Sequence, residues 1–282
     1  MSERLIRAIL LTTALLSLIS LAVITFFIFQ AGVPLIGQVG IAPFIGGTVW
    51  NPTGDPKSFG ILPMLLGSLY LTVGALIVGV PLGVAVAVFM AELAPRRMAQ
   101  IMRPAIQLLA GIPSVIYGFV GLTLLAPFVR EYLGGPGLSV LTSAIVLGIM
   151  IMPNVISISE DAIRAVPNSY REGSLALGAT QWQTIWGVVL PAARSGILAS
   201  VILGMGRALG ETMAVIMMIG NALQVPLSPL DSATTLTSNI GLELAYASGQ
   251  HREALFATGV VLFVLIMALN LIARAVSQQQ TN

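Results

Sequence analysis

Two charged residues sit where an apolar chain is least able to hold them. Arg207 lies eleven residues beyond Gly196 in a run of small and apolar residues, and Glu211 follows four residues later. At about 1.5 Å per helical residue, Arg207 is about 16 Å into that run, near the middle of a hydrocarbon core of about 30 Å. If the helix is continuous, the i, i+4 spacing puts both side chains on one face. A charge at the bilayer centre costs at least about 2.5–3.5 kcal/mol unless it meets a partner or a wet cavity, so both are expected to point into the helix bundle. Two chemistries fit the pair. The charges can neutralise each other and pin helix packing. Alternatively, the planar guanidinium fork grips a tetrahedral oxyanion, while the carboxylate orients the fork, keeps the empty site near neutral and repels the anion enough to let it leave. The second reading makes Arg207 and Glu211 a substrate pathway.

Other chemistry is scarce. Cysteine is absent and His251 is the lone histidine, which leaves no thiolate and no ordinary metal-ligand set. The only lysine, Lys57, follows Pro56, so there is no phosphate-binding G-x-x-x-x-G-K-[ST] loop. G-x-S-x-G and H-E-x-x-H are also missing, and Gly204–Gly210 misses the dinucleotide fingerprint by one residue. No catalytic residue, metal or bound cofactor is expected, and a membrane enzyme is the weakest class. His251 reads as a solvated surface residue. Polar residues within apolar runs (Gln107, Ser114, Tyr117, Asn154, Thr212 and Asn270) read mostly as bonds between helices.

The elements that must carry Arg207 follow from composition. With 56% hydrophobic and 9% charged residues among 282, the chain is far below the roughly 25% charge of soluble proteins. The fold class is all-α, a polytopic membrane protein, because backbone groups in lipid must be satisfied within the segment. Six apolar runs are long enough to span, at about residues 9–31, 63–91, 104–129, 139–159, 196–220 and 254–275. Pro81, Pro113 and Pro153 predict kinks within them. Gly79–Gly83 and Gly206–Gly210 have the spacing of close helix contacts, predicting a bundle with few lipid-only faces. The N-terminal run lacks a cleavage site and reads as the first span, not a removed leader.

Basic residues set the orientation. With the N-terminus inside, nine arginines (4, 7, 96, 97, 103, 164, 171, 194 and 274) are cytoplasmic, against Lys57, Arg130 and Arg252 outside. Both termini are then cytoplasmic in a bacterial inner membrane. A net charge of +2 with no basic stripe gives no reason to expect nucleic acid. The external segments 32–62 and 221–253 are long enough to touch an outside partner, the second carrying the polar run Ser232 to Asn239.

The cytoplasmic segment 160–195 is the longest on its side. Its composition suits two short helices broken near Gly178, with Pro191 before the fifth span. Leu175, Ala176 and Leu177 would be presented to water there, and their burial calls for another protein or the lipid surface.

This segment resembles the EAA motif of binding-protein-dependent ABC importer permeases, which is Glu-Ala-Ala, three residues, Gly, nine residues, then Ile-x-Leu-Pro. Glu172-Gly173-Ser174, Gly178 and Val188-Val189-Leu190-Pro191 keep that spacing, with Gly-Ser replacing Ala-Ala and Val replacing Ile. The resemblance implies a type I ABC importer permease fold in a single transmembrane domain. It also implies an ATPase dock at Glu172, Gly173, Ser174, Leu175, Ala176, Leu177 and Gly178, with ATP and Mg held by the partner ATPase. Gly206–Val215 and Gly111–Gly118 further resemble the phosphate-specific permeases, and Met213-Ala214-Val215 with Trp50-Asn51-Pro52 is closer to the PstC than to the PstA kind. That resemblance implies a PstA-like sister permease, two cytoplasmic ATPases, an external phosphate-binding protein, and inward phosphate transport by alternating access. Sulfate or molybdate is the nearest alternative cargo. An ATP-independent anion channel or carrier is a further one, but it would have no use for the dock.

Overall fold

The structure, a computed structural model, describes residues 3–279; the side chains of Arg4 and Arg274, counted above as cytoplasmic, fall outside the described side chains. Six helical stretches among the described residues are long and apolar enough to cross a membrane: Leu5–Val39, Leu62–Leu93, Ser114–Tyr132, Val140–Arg164, Gln181–Gly210 and Gln250–Ala273. The chain divides into two compact units.

The smaller unit joins residues 1–62 to Glu243–Val264. It holds α1 (Glu3–Val39), α2 (Ile41–Gly46), the two-residue strands β1 (Trp50–Asn51) and β2 (Ser58–Phe59), and the first half of α13 (Gln250–Gln279). The strands pair antiparallel, Trp50 opposite Phe59. α1 crosses α13 closely because Gly32 has no side chain: a Cβ there would lie 2.7 Å from the backbone of Phe256 and Ala257. Edge-on ring pairs, Phe27 with Phe256 and Phe29 with Phe263, continue the seam. From Leu5 to Phe27 most side chains of α1 are exposed within this chain. An all-round apolar helix is solvated well enough by lipid tails.

The larger unit spans residues 63–242 and the end of the chain. At its centre is α7 (Val140–Arg164), the most buried of the six spans. α3 (Leu62–Val88) lies against it where glycines meet: a Cβ on Gly79 would be 2.5 Å from the Gly148 carbonyl, and one on Gly83 would be 2.8 Å from Val155. α10 (Leu190–Gly210) packs on α7 through small residues and a buried Ser159–Ser200 hydroxyl pair at 2.9 Å. Leu71, Ala75, Leu147, Ile151, Ala208 and Val215 form the shared core. Pro81 and Pro153 are accommodated inside continuous helices.

Two expectations change. The third apolar run does not begin at residue 104. α4 (Arg96–Gly111) ends at Ile112, whose extended backbone (ψ 127°) is what a following proline imposes, and α5 (Ser114–Val120) starts afresh, leading through a π turn, Gly121–Leu125, into α6 (Ala126–Tyr132). Pro113 breaks the helix outright. The fifth run is broken as well: α10 stops at Gly210, and α11 (Met213–Met218) begins after an extended Glu211. The polar run Ser232 to Asn239 lies largely inside the fold. It enters α12 (Leu236–Glu243), and Thr234, Thr235, Ser238 and Asn239 are buried, with hydroxyls bonded to one another and Ser68 accepting from the Leu236 N–H.

Candidate functional site

Arg207 occupies the last turn of α10, where the negative end of the helix dipole favours a cation. Its side chain is exposed on the surface of the chain. No hydrogen bond or ion pair reaches it among the described residues. Gly206 and Gly210, expected to mediate helix contacts, have no atom within 4 Å of where a Cβ would stand. This face of α10 is therefore uncovered by its own chain.

Glu211 is not on that face. Because the helix ends at Gly210, the i, i+4 relation fails, and the carboxylate turns forward to accept the Ala214 N–H at 3.1 Å. It supplies a partner to one of the free N–H groups that open α11. Its own carbonyl accepts from the Thr237 hydroxyl at 3.0 Å. Glu211 thus holds the break between α10 and α11, and the expected picture of two charges pointing together into the bundle is corrected on both counts.

The segment 160–195, expected on the cytoplasmic side, folds into α8 (Asn168–Ala176), α9 (Gln181–Thr184) and a π turn, Ile185–Val189, leading into α10. Between α8 and α9, Gly178 has φ +87°, a conformation that costs glycine little. Thr180 starts α9 with a reciprocal capping box: its hydroxyl accepts the Gln183 N–H, and the Gln183 carbonyl oxygen accepts the Thr180 N–H. Ser174 and Thr184 hydroxyls join the two helices at 2.9 Å. Glu172, Gly173, Ala176 and Gly178 are exposed, Leu175 is half exposed, and Leu177 stands 91% exposed. Trp182 and Trp186, in edge-on contact, add exposed aromatic surface. Pro191 lies in the first turn of α10, where its missing N–H costs nothing.

Sequence reading missed the ion pairs beneath this segment. Glu160 is buried and accepts from Arg103 at 2.7 Å and Arg164 at 2.8 Å. The Glu160 hydrogen bond and charge push the Arg103 pKa upward, so its guanidinium is firmly cationic. Arg171 pairs with Glu92 at 2.6 Å. Only Glu160–Arg164, at helical spacing, had a local signal. In the smaller unit, His251 is 7% exposed, not solvated as expected; its Nε2 meets the Glu243 carboxylate at 2.7 Å, and the Trp50 indole N–H donates to the same carboxylate at 3.0 Å.

Six apolar helical stretches, two short helices that expose Leu177 and Trp182, and an arginine with no ion pair beside a broken helix leave surfaces that the described residues do not cover. The chain belongs to the family described as binding-protein-dependent transport system inner membrane component, whose model matches residues 79–282. It is 41% identical over 97% of its length to the probable ABC transporter permease protein YqgH of Bacillus subtilis, covering 90% of that protein. It is 36% identical over 93% of its length to the phosphate transport system permease protein PstC of Mesorhizobium japonicum, covering 85%. Among solved structures, an alginate-importing bacterial ABC transporter aligns with TM-score 0.62 at 20% identity, over 99% of this chain and all of that one. The inward-facing MetNI methionine transporter aligns with TM-score 0.59 at 20% identity, over 79% of this chain and 95% of that one. The fold is that of type I ABC importer permeases. The protein is a multi-pass membrane transport subunit, not an enzyme, and works with a separate ATPase and a binding protein.

Proposed function

We propose that this chain is the PstC-like permease subunit of an inorganic phosphate importer. Paired with a PstA-like sister, it would be driven by two cytoplasmic ATPases that hold ATP and Mg, and supplied by an external phosphate-binding protein. The observation that carries the cargo is Arg207: an unpaired guanidinium in an apolar stretch, exposed beside two glycines that leave room on the same face. A cation there cannot face lipid without a cost of at least about 2.5–3.5 kcal/mol, so it faces the sister subunit or a wet path between the two. Its forked donors match the oxygens of a tetrahedral anion. The name of the Mesorhizobium relative and of others at 33–36% identity supports phosphate as that anion.

In the working cycle the ATPases dock on Glu172–Gly178, with Leu177 as the apolar anchor. Their closure moves the cytoplasmic helices, and the permease pair alternates between outward and inward access. Glu211 fixes the break that leaves Arg207 at the end of a helix, and both termini lie in the cytoplasm. The deciding experiment is ATP-dependent uptake of radiolabelled phosphate by the complete complex in liposomes, with sulfate and molybdate as competitors. Competition by unlabelled phosphate alone is expected; equal competition by sulfate would replace the cargo, and uptake without ATP would replace the machine.

A further inference from the structure

The π turn Phe89–Leu93, at the cytoplasmic end of α3, is gripped from three sides by the segment that carries the dock. Arg164 donates to the Met90 carbonyl at 2.7 Å. Arg171, on α8, places its Nε and Nη2 on the Glu92 carboxylate at 3.1 and 2.6 Å, and its remaining donors reach the Val166 and Ile163 carbonyls at 2.6 and 2.9 Å. Gln181, which opens α9, donates to the Glu92 carbonyl at 3.2 Å. One residue, Glu92, is thus held by both helices of the dock. The Arg171 and Glu92 side chains are only 19% and 10% exposed, so water screens this pair little.

What lies beyond the turn gives the grip a use. α3, a single helix from Leu62 to Val88, is about 40 Å long at its helical rise. Gly79 and Gly83 seat it against α7. Near its other end, a Cβ on Gly67 would strike the Thr234 carbonyl, and the Ser68 hydroxyl accepts from Leu236 N–H at 3.0 Å. The same polar cluster contributes the Thr237 hydroxyl that bonds the Glu211 carbonyl. A π turn is a strained insertion in a helix and recurs at functional places.

We infer that Glu92 and Arg171 are positioning residues that couple the motor to the pathway: the Arg171–Glu92 clasp delivers displacement of α8 and α9 to the π turn, and α3 carries it to the break at Glu211. This rests on reading Glu172–Gly178 as the dock. Binding of the motor and transmission of its movement are then separable functions, the first on Leu177 and the second on Glu92.

The test is a set of full complexes in liposomes with an inorganic phosphate probe, measuring ATPase retention on the permease, ATP hydrolysis, and phosphate taken up per ATP. Glu92→Gln is expected to keep the ATPase bound and hydrolysing while uptake per ATP falls about tenfold, within the range of about 5–150-fold usual for coupled sites. The exchange Arg171→Glu with Glu92→Arg is expected to recover part of that ratio, which restored folding alone would not select for. Leu177→Asp is expected to release the ATPase instead. Normal uptake per ATP in Glu92→Gln, with Leu177→Asp losing the motor, overturns the coupling and leaves the dock standing. Retention of the motor by Leu177→Asp overturns the dock itself. If Glu92→Gln fails to insert, the exchanged pair decides: insertion with uptake per ATP no better than that of Arg171→Glu alone overturns the inference.

Discussion

The cargo role proposed for Arg207 rests on a guanidinium with no hydrogen bond or ion pair among the described residues, exposed at the end of α10. Arg207→Ala is expected to insert and assemble yet lose phosphate uptake by about 100-fold or more, since a charge-assisted pair of hydrogen bonds is worth roughly 1.5–3 kcal/mol each. Arg207→Lys keeps the charge and loses the fork, and is expected to fall between. Wild-type uptake by both variants in liposomes would remove Arg207 from the path. Glu211 calls for a different comparison, because its carboxylate serves the Ala214 N–H. Glu211→Gln retains a carbonyl acceptor and is expected to be close to wild type in thermal stability, whereas Glu211→Ala should lose about 1 kcal/mol, the usual worth of a helix cap. Equal melting of the two variants would count against the capping role. The difference between expectation and structure at these two residues has a simple cause. Gly210-Glu211-Thr212 contains no proline, and its apolar surroundings read as uninterrupted helix. The hydroxyl of Thr237 and the turn-forward of Glu211, which fix the break, come from tertiary contact.

At the scale of elements, the two short helices of the proposed dock were legible because their signals are local. Gly178 ends α8 in a left-handed conformation, and the Thr180-x-x-Gln183 capping box is also written in consecutive residues, although it went unread. Leu177 is the exposed tip of this element, so Leu177→Asp is expected to weaken ATPase retention at least about tenfold, consistent with roughly 1.5–3 kcal/mol for burying a leucine. Unchanged co-purification would contradict it. The spans packed through Gly79 and Gly148 were half legible, since Gly79 belongs to a recognisable spacing and Gly148 does not. Gly148→Val places a Cβ 2.9 Å from Val78 and 3.1 Å from the Ala75 carbonyl, and is expected to destabilise the permease by about 1–3 kcal/mol, read as a lower melting temperature in detergent. Polarity misled the reading of His251, and it left residues 232–239 without an assigned place. A run of Ser, Thr and Asn looks the same on paper whether water or neighbouring hydroxyls satisfy it. The carboxylate that keeps His251 inside belongs to Glu243, on a different helix. The Arg171–Glu92 clasp, across 79 residues, has no local trace at all.

For the whole molecule, composition set the class, and the glycines and small residues set which surfaces close on themselves. The central helix α7 is covered by its own chain, whereas α10 around Gly206, Arg207 and Gly210 is not. A second permease is the covering that the proposed assembly provides. Co-expression with a PstA-like sister is accordingly expected to give a stable one-to-one membrane pair, and covalent cross-linking between a cysteine at Gly206 and the sister should be efficient. Failure to form any such pair would dissociate this surface from the assembly.

The uncovered Arg207 has a consequence for the life of the protein in the cell. A subunit made without its sister carries a naked guanidinium that cannot rest in lipid, which is the kind of defect membrane proteases detect in surplus chains. The half-life of the chain should lengthen several-fold when the sister is supplied, and Arg207→Leu should lengthen it without the sister. The charge proposed to engage cargo in the finished transporter would also police the stoichiometry of its manufacture.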